Sequence, residues 1–303
     1  MAFQPAYKTL LDSGSFPNRV ERAKSHLSSC TVCPLVCQVN RLEGEIGECR
    51  IAAEAVVSSY GPHHGEEDPL RGWRGSGTIF FSGCNLHCQF CQNASISQSR
   101  MGREVTPERL AGMMLSLQRN GCHNINFVSP THVGPQIIEA VHFAAKEGLN
   151  IPLVYNTGGY DSVAMLKLFS GIIDIYMPDM KYADPHIGKT YSQIEHYPAV
   201  NRRAVKEMHR QVGDLTLNAQ GVAERGLLVR HLVLPNQLAG SEEILRFIAE
   251  EISQDTYINL MDQYRPCYRA HDYPELSRRL HRSEYHEVTS LAAELGLNRG
   301  DRH

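Results

Sequence analysis

Residues 78–91 read TIFFSGCNLHCQFC, a short apolar run followed at once by three cysteines in the spacing CxxxCxxC. The apolar run, 78–82, has the near-continuous hydrophobic character of a parallel strand that is covered on both faces. Cys84, Cys88 and Cys91 therefore fall in the loop after a strand. Because ligands gather at the carboxyl ends of strands in parallel α/β sheets, this loop is where we first expect chemistry.

Five further apolar runs of the same kind follow along the chain, with amphipathic helical patterns between them. The runs are 124–129, 152–156, 172–177, 227–234 and 257–261. This strand–helix alternation predicts one parallel sheet with right-handed crossovers. The pattern alone leaves two architectures open, an open doubly wound sheet and a curved partial barrel.

Helix start signals support the alternation. Thr106, followed by Pro107 and an acidic residue, has the features of an N-cap, and Gly134 opens the next helix. Asp161 is expected to cap a third helix. Longer helices are expected at about 197–212 and 283–295.

Composition excludes several classes of protein. The chain has 303 residues, of which 42% are hydrophobic and 21% charged, with a net charge of −3, so it has material for a sizeable core and is not globally disordered. It contains no Lys/Arg run suited to nucleic acid and no apolar stretch of the roughly 18–20 residues that span a bilayer. The first residues lack the pattern of an export signal, so we expect a cytoplasmic protein with no nucleic-acid or membrane partner.

Nine cysteines are present, and seven of them fall in two groups. In a reducing compartment, clustered cysteines are more often metal ligands than disulfides. Cys30, Cys33, Cys37 and Cys49 supply a full set of four thiolates for zinc or for an iron–sulfur cluster. Their uneven spacing lacks the two paired knuckles of structural zinc sites, which favours the cluster, in a structural or electron-relay role.

The second group has only three cysteines. Three thiolates leave one iron of a [4Fe–4S] cluster without a protein ligand, and an open metal position is typical of a catalytic centre. A zinc knuckle and three buried free cysteines are the alternatives. Cys122 and Cys267 lie outside both groups, and we expect the former to be a small buried hydrophobic residue.

A CxxxCxxC loop after the first strand of a βα series resembles the radical S-adenosylmethionine (SAM) superfamily. Within it, the chain resembles relatives of the pyruvate formate-lyase activating enzyme over about 77–266. The resemblance implies an α/β fold, a partial (β/α)6 parallel barrel at 77–270. A small four-cysteine N-terminal module, 1–76, would precede it, and a helical tail, 271–303, would follow.

Three further features carry the resemblance. Phe90 matches the aromatic residue that lies near the adenine, and Asp179-Met180-Lys181 resembles the D-x-K motif that contacts SAM in those activating enzymes. The segment 230–235 resembles their Arg-x-x-x-x-Pro pattern, which makes Arg230 a SAM contact. Arg230 and His231 are costly to bury without partners, so we expect both to face the SAM or substrate pocket, with a structural ion pair as the alternative.

Two motifs depart from the activating enzymes. Their second strand ends in Gly-Gly-Glu, whereas here Ser129 and Thr131 take that place and could offer oxygens to the SAM ammonium. Their third strand ends near an acidic residue, whereas here it ends at Asn156, a weaker partner for a cation. These changes indicate a distinct, activating-enzyme-like branch.

The resemblance implies an oxidoreductase that uses a [4Fe–4S] cluster, SAM and an electron donor such as flavodoxin or ferredoxin. Reductive cleavage of SAM would give methionine and a 5′-deoxyadenosyl radical, which abstracts hydrogen from a glycyl or side-chain position of a protein or peptide. A small-molecule substrate stays open. The alternatives are a non-catalytic iron–sulfur protein that relays electrons or senses oxygen, and a zinc-stapled interaction module.

Two weaker signals complete the analysis. Residues 63–68 read HHGEED and predict an exposed, solvated loop, because His and Glu without defined spacing rarely bind a metal. His132 follows the second strand, where it is either a substrate contact or an ordinary loop histidine.

Overall fold

The computed structural model describes residues 3–300, so residues 1–2 and 301–303, at the two ends of the expected module and tail, lie outside the description. The sheet is built around the six strands that the sequence predicts. The described strands are β1 (Ala55–His63), β2 (Ser76–Phe81), β3 (Arg103–Val105), β4 (Ile125–Val128), β5 (Leu153–Thr157), β6 (Ile175–Pro178), β7 (Thr216–Leu217), β8 (Ala223–Leu232) and β9 (Tyr257–Met261).

Strands β2, β4, β5, β6, β8 and β9 pair in parallel in that order. In the described chain β9 pairs with β8 alone, so the series does not close on β2. The expected partial parallel barrel is thereby confirmed, and the open doubly wound alternative is not adopted.

Antiparallel strands flank this series. β1 pairs with β2 and β3 pairs with β1, while β7 pairs with the amino-terminal part of β8. β1 comes from the segment that the sequence analysis places in the N-terminal module, so that segment adds a strand to the same sheet.

Helices fill the connections between strands. They are α1 (Tyr7–Asp12), α2 (Phe16–Lys24), α3 (Asp68–Arg71), α4 (Ala94–Ser97), α5 (Pro107–Arg119), α6 (Gly134–Lys146), α7 (Val163–Phe169), α8 (Pro185–Ser192), α9 (Tyr197–Val212), α10 (Ser241–Phe247) and α11 (Arg282–Glu294), and a π-helical turn, Ile248–Ile252, follows α10. Within residues 3–300, no helix combines the length and the apolar character needed to cross a membrane.

The predicted helix starts agree with the structure except for the cap of α7. Thr106 caps α5 by accepting a hydrogen bond from the Arg109 amide. The expected cap Asp161 is wrong, because Ser162 caps α7 instead, through the Met165 amide. The Asp161 carboxylate is buried beneath the strand ends and is described with the site below.

Side chains of the parallel strands alternate between the barrel interior and the outer helical layer. Toward the amino ends, Val154, Ile175 and Leu228 form one buried apolar cluster with Leu70 from α3. Toward the carboxyl ends the interior positions become polar, with Asn156, Asp179 and Arg230. The amino end of the barrel is therefore packed for stability, and the carboxyl end presents the chemically active groups.

Candidate active site

The loop after β2 carries the three cysteines along one wall of a cavity of about 270 Å³. Ser192 Oγ donates a hydrogen bond to Cys88 Sγ across 3.0 Å, and Ser97 Oγ lies 3.2 Å from Cys91 Sγ. Hydrogen bonds to sulfur favour the thiolate, which is the form that binds iron.

Helix α8 fixes the shape of this loop. The His87 amide donates to the Ser192 carbonyl at 3.2 Å, and the Gln89 amide donates to the Tyr191 carbonyl at 2.7 Å. The cysteines are thus held by a segment that lies a hundred residues further along the chain, which local sequence patterns do not reveal.

The residues predicted to bind the cluster and SAM all line this one cavity. They are Cys84, Cys88, Cys91, Phe90, Ser129, Thr131, Asn156, Asp179, Lys181 and Arg230. They come from the loop after β2 and from the ends of β4, β5, β6 and β8, so the order of the parallel strands brings them to one end of the barrel.

An ion-pair network forms the polar wall of the cavity. Lys181 Nζ donates to Asp179 Oδ2 at 2.7 Å, and Arg230 Nε donates to Asp179 Oδ1 at 2.9 Å. Arg230 Nη2 also donates to Asn156 Oδ1 at 2.9 Å. These four side chains span three neighbouring strands, so the network fixes their relative positions at the strand ends.

The charges of this network stabilise one another. Burial alone would raise the pKa of Asp179, but Arg230 and Lys181 outweigh it and hold the pKa below its usual value. Burial opposes the charged forms of both cations as well, and the Asp179 carboxylate raises the pKa of each. All three groups are therefore charged around neutral pH.

The backbone carbonyl of Asp179 accepts hydrogen bonds from helix α9, which packs outside the barrel. Tyr197 Oη and Asn201 Nδ2 both bond the Asp179 carbonyl, at 3.0 and 2.9 Å. Gly159 has a φ of +78°, and a side chain there would collide with that carbonyl and with Asn201. The glycine therefore allows β5 and β6 to approach closely behind the ion-pair network.

The polar turn after β4 holds Ser129 and Thr131 at the place where the activating enzymes have Gly-Gly-Glu. Ser129 has a φ of +58°, and its amide donates to the Asn156 carbonyl at 2.9 Å. Thr131 Oγ1 donates to Asp161 at 2.7 Å and lies 2.9 Å from Thr157 Oγ1, and the residue lines the cavity. Left-handed backbone at a serine is a strained conformation of the kind found at ligand sites.

Asp161 is a residue that sequence reasoning assigned to the wrong role. Its carboxylate accepts hydrogen bonds from Thr131, Tyr155 and Thr157 at 2.7 to 2.9 Å. Burial raises its pKa, and the three hydroxyl groups oppose that rise. Its position two residues after Gly158-Gly159, close to a strand end, was the signal in the sequence that it belongs behind the site.

Phe90 closes the apolar side of the cavity. Its ring meets Tyr182 and Tyr264 edge-on, with centroids 6.3 and 5.9 Å away. A buried aromatic wall next to a charged wall gives the cavity the two surfaces that a nucleoside carrying a charged tail requires.

The comparisons with known proteins identify the family. The sequence model of the Radical SAM superfamily matches residues 78–248, more than half of the chain. The chain belongs to the radical SAM superfamily. Proteins of this superfamily use a [4Fe–4S] cluster and SAM, which are therefore the cofactors here, and they cleave SAM by radical chemistry that consumes an electron from a donor.

One relative in sequence is the uncharacterized protein MJ0674 of Methanocaldococcus jannaschii, 33% identical over 290 residues, with 92% of this chain and 79% of the relative covered. A radical SAM methyltransferase from Sphaerobacter thermophilus gives a TM-score of 0.49 at 14% identity, over 74% of this chain and 65% of that one. Native anSMEcpe with bound AdoMet gives 0.48 at 14% identity, over 70% and 57%. The chain spans less than two thirds of the length of either solved structure.

The donor set at the cavity fits a radical SAM cluster. Burial raises the pKa of the Cys84 thiol to about 12, and a bound metal centre supplies the positive charge that deprotonates such a thiol. Within residues 3–300, no three His, Cys, Asp or Glu side chains are arranged to hold a single metal ion. Ligands of a four-iron cluster each bind a different iron, so they do not converge as the ligands of one ion do.

The loop at 63–68 departs from its expected solvated state. Glu67 is buried with 7% of its surface exposed, 3.7 Å from Arg230 Nη1, and it accepts a hydrogen bond from Asn259 Nδ2 at 3.2 Å. Burial, followed by the charge of Glu67, raises the pKa of Glu66 to about 7. His64 is exposed, as expected for a loop.

The two histidines predicted beside the strand ends lie in different places, one facing away from the cavity and one lining it. His231 faces away from the cavity, with Nδ1 2.7 Å from the Met180 carbonyl and Nε2 2.8 Å from Ser241 Oγ. The expectation that it faces the pocket with Arg230 is therefore wrong, because neighbouring strand residues point to opposite faces. His132 is buried at the cavity wall, where its Nε2 lies 2.9 Å from the Ser82 carbonyl.

The first cysteine group lies outside the radical SAM cavity. Cys30, Cys33 and Cys49 are buried and Cys37 is partly exposed, and all four are free thiols. Cys122 is buried as expected, and Cys267 is partly exposed.

Proposed function

We propose that this radical SAM protein is an activating-enzyme-like oxidoreductase that abstracts hydrogen from a glycyl or side-chain position of a protein or peptide. The observation that carries the proposal is the convergence of three thiols and the Asp179 ion-pair network on one cavity at the carboxyl ends of the strands. When bound, the cluster supplies the electron that cleaves SAM to methionine and a 5′-deoxyadenosyl radical.

Cys84, Cys88 and Cys91 hold the cluster in this proposal. Burial raises the pKa of the Cys84 and Cys88 thiols, and the positive charge of Lys181 acts in the opposite direction on both, so its ammonium lies near these two thiols. That position would suit Lys181 to hold the carboxylate of the methionine part of SAM.

In this proposal the remaining residues of the cavity each contact a different part of SAM. Ser129, Thr131 and Asn156 line the part of the cavity that we assign to the ammonium group, where Asn156 Oδ1 already accepts a hydrogen bond from Arg230. This chain has no acidic residue at the β4 or β5 positions. Asp179 and Arg230 hold the ribose side of the cavity in position, and Phe90 contacts the adenine.

The protein or peptide substrate follows from the resemblance to the activating enzymes, and the electron donor is a flavodoxin or a ferredoxin. The barrel supports access for such a substrate because β9 and β2 do not pair in the described chain, which leaves the barrel wall unclosed.

Deuterium transfer tests the proposal. An extract of cells grown in deuterated medium is first separated into a protein fraction and a small-molecule fraction. The reconstituted protein is then incubated anaerobically with SAM, dithionite and one fraction at a time. We expect deuterium in 5′-deoxyadenosine with the protein fraction, and no 5′-deoxyadenosine from Cys88→Ala. Label from the small-molecule fraction alone would contradict a protein substrate, and absence of 5′-deoxyadenosine from the wild type would contradict SAM cleavage itself.

A further inference from the structure

The four cysteines of the N-terminal region, Cys30, Cys33, Cys37 and Cys49, form a thiol group that the proposed cleavage of SAM does not use. Burial raises the pKa of Cys33 to about 12, and the charges of the other three thiols act in the same direction. Four free thiols whose charges interact in a largely buried environment are a suitable ligand set for a soft metal centre.

The local backbone folds tightly around these thiols. The Cys30 amide donates to the Val39 carbonyl at 2.9 Å, and the Gln38 amide donates back to the Cys30 carbonyl at 3.1 Å, so the chain doubles back and brings Cys37 beside Cys30. Gly47 packs against the same side chain, since a Cβ there would lie 2.8 Å from Cys37 Sγ.

Strained backbone lies next to two of the four cysteines. Val36 and Gln38, on either side of Cys37, have φ values of +46° and +58°, and Arg50, directly after Cys49, has a φ of +59°. Such conformations are strained and cluster at sites that hold a ligand. A β-branched residue such as Val36 is a particularly rare case.

The thiol group lies directly against the loop that carries Cys84. A Cβ at Gly83 would lie 2.5 Å from the Cys49 carbonyl, so the two backbones touch one residue before the first cluster ligand. On the same side, Glu48 Oε1 lies 2.9 Å from His87 Nε2 inside the CxxxCxxC loop. The two groups of cysteines are therefore neighbours in the fold.

We propose that Cys30, Cys33, Cys37 and Cys49 bind a second [4Fe–4S] cluster that passes electrons to the cluster at Cys84, Cys88 and Cys91. One electron enters from a low-potential donor of the flavodoxin or ferredoxin class and reduces the second cluster from the 2+ to the 1+ state. The same electron then leaves for the first cluster, so no atom is transferred. The relay rests on the proposed function, whereas the cluster itself does not.

Position and chemistry favour an iron–sulfur cluster over zinc. Zinc has no redox chemistry and could only support the fold, whereas this thiol group touches the loop of a centre that consumes electrons. Cys37 is partly exposed while the other three are buried, which gives electrons an entry side facing solvent and an exit side facing Gly83.

Metal analysis tests the second cluster independently of SAM chemistry. Iron, sulfide and zinc are measured after anaerobic reconstitution of the wild type, of a triple Cys84/Cys88/Cys91→Ala variant and of Cys122→Ala as the control. We expect about eight irons per chain in the wild type and the control and about four in the triple variant, with a [4Fe–4S]¹⁺ electron paramagnetic resonance signal after reduction. A triple variant that contains zinc, or no metal, would overturn the second cluster.

Two reductants test the relay. In Cys33→Ser/Cys37→Ser, we expect 5′-deoxyadenosine formation with reduced flavodoxin to fall at least tenfold. Formation with titanium(III) citrate, a small reductant that can reach the first cluster directly, should stay within about twofold. Equal rates in variant and wild type with both reductants, or an equal fall with both, would contradict the relay. If the wild type makes no 5′-deoxyadenosine, the proposed function fails while the metal analysis still decides the cluster.

Discussion

At the scale of single residues, Asp179 holds two partly buried cations together, with 19% and 20% of their side chains exposed. Its two carboxylate oxygens accept hydrogen bonds from Lys181 and Arg230 at 2.7 and 2.9 Å, at the end of β6. The carboxylate therefore keeps both cations in fixed positions against the cavity. Removing one partner of a largely buried ion pair is costly, because it leaves the other partner's charge uncompensated.

Asp179→Asn should weaken SAM binding by the cluster-loaded protein at least tenfold, a loss of about 1.4 kcal/mol. The amide keeps the shape of the side chain but loses the negative charge between the two cations. Equilibrium dialysis with labelled SAM measures the change. The matched control is Asp184→Asn at the exposed cap of α8, where asparagine caps as well as aspartate does. Equal affinity in the two variants would contradict the role of Asp179.

At the scale of elements, β8 joins the active site to the outer layer of the protein. Arg230 points into the barrel toward Asp179, and the next residue, His231, points outward to Ser241 at the start of α10. Burial lowers the pKa of His231 to about 4, so this imidazole is neutral in the folded protein at neutral pH.

A pH dependence follows from His231. The unfolded chain takes up a proton on this residue near its usual pKa of 6.5, whereas the folded protein does so only near 4. The contribution of His231 to stability is therefore present above pH 6.5 and is lost as pH falls toward 4. Compared with His231→Gln, the wild type should lose roughly 2 kcal/mol between pH 7 and pH 4.5, measured by urea unfolding.

Other buried groups titrate in the same window, so the comparison between variant and wild type is needed. Burial raises the pKa of Asp174 to about 7, which acts in the opposite direction on the stability of both proteins and cancels in the difference. A difference in unfolding free energy between the two proteins that does not change with pH would contradict a neutral, buried His231.

Elements defined by local patterns were predictable from the sequence. Continuous apolar runs predicted the six parallel strands, and the order of those strands brought ten expected site residues to one cavity. Asp161 was misassigned because an acidic residue before a helix is a common cap. The sequence pattern does not show that the hydroxyl groups of Tyr155 and Thr157, on the preceding strand, and of the distant Thr131 all point to its carboxylate.

At the scale of the whole molecule, the N-terminal segment contacts both ends of the barrel. Its cysteine group lies against the loop before Cys84, while Leu70 closes the apolar end and Glu67 reaches Arg230 from inside. The sequence did not predict β1 or the buried position of Glu67, because both depend on partners far along the chain. A short segment of mixed polarity, such as residues 63–68, has the local pattern of a loop, and its distant partners are not visible in that pattern.

The central claim is that Cys84, Cys88 and Cys91 hold the cluster at which SAM is cleaved. The most direct measurement is the amount of 5′-deoxyadenosine formed anaerobically from SAM and dithionite by reconstituted wild type, Cys88→Ala and the control Cys122→Ala. We predict formation by the wild type and the control and none by Cys88→Ala. No product from a wild type with a full complement of iron, or undiminished product from Cys88→Ala, would contradict the claim.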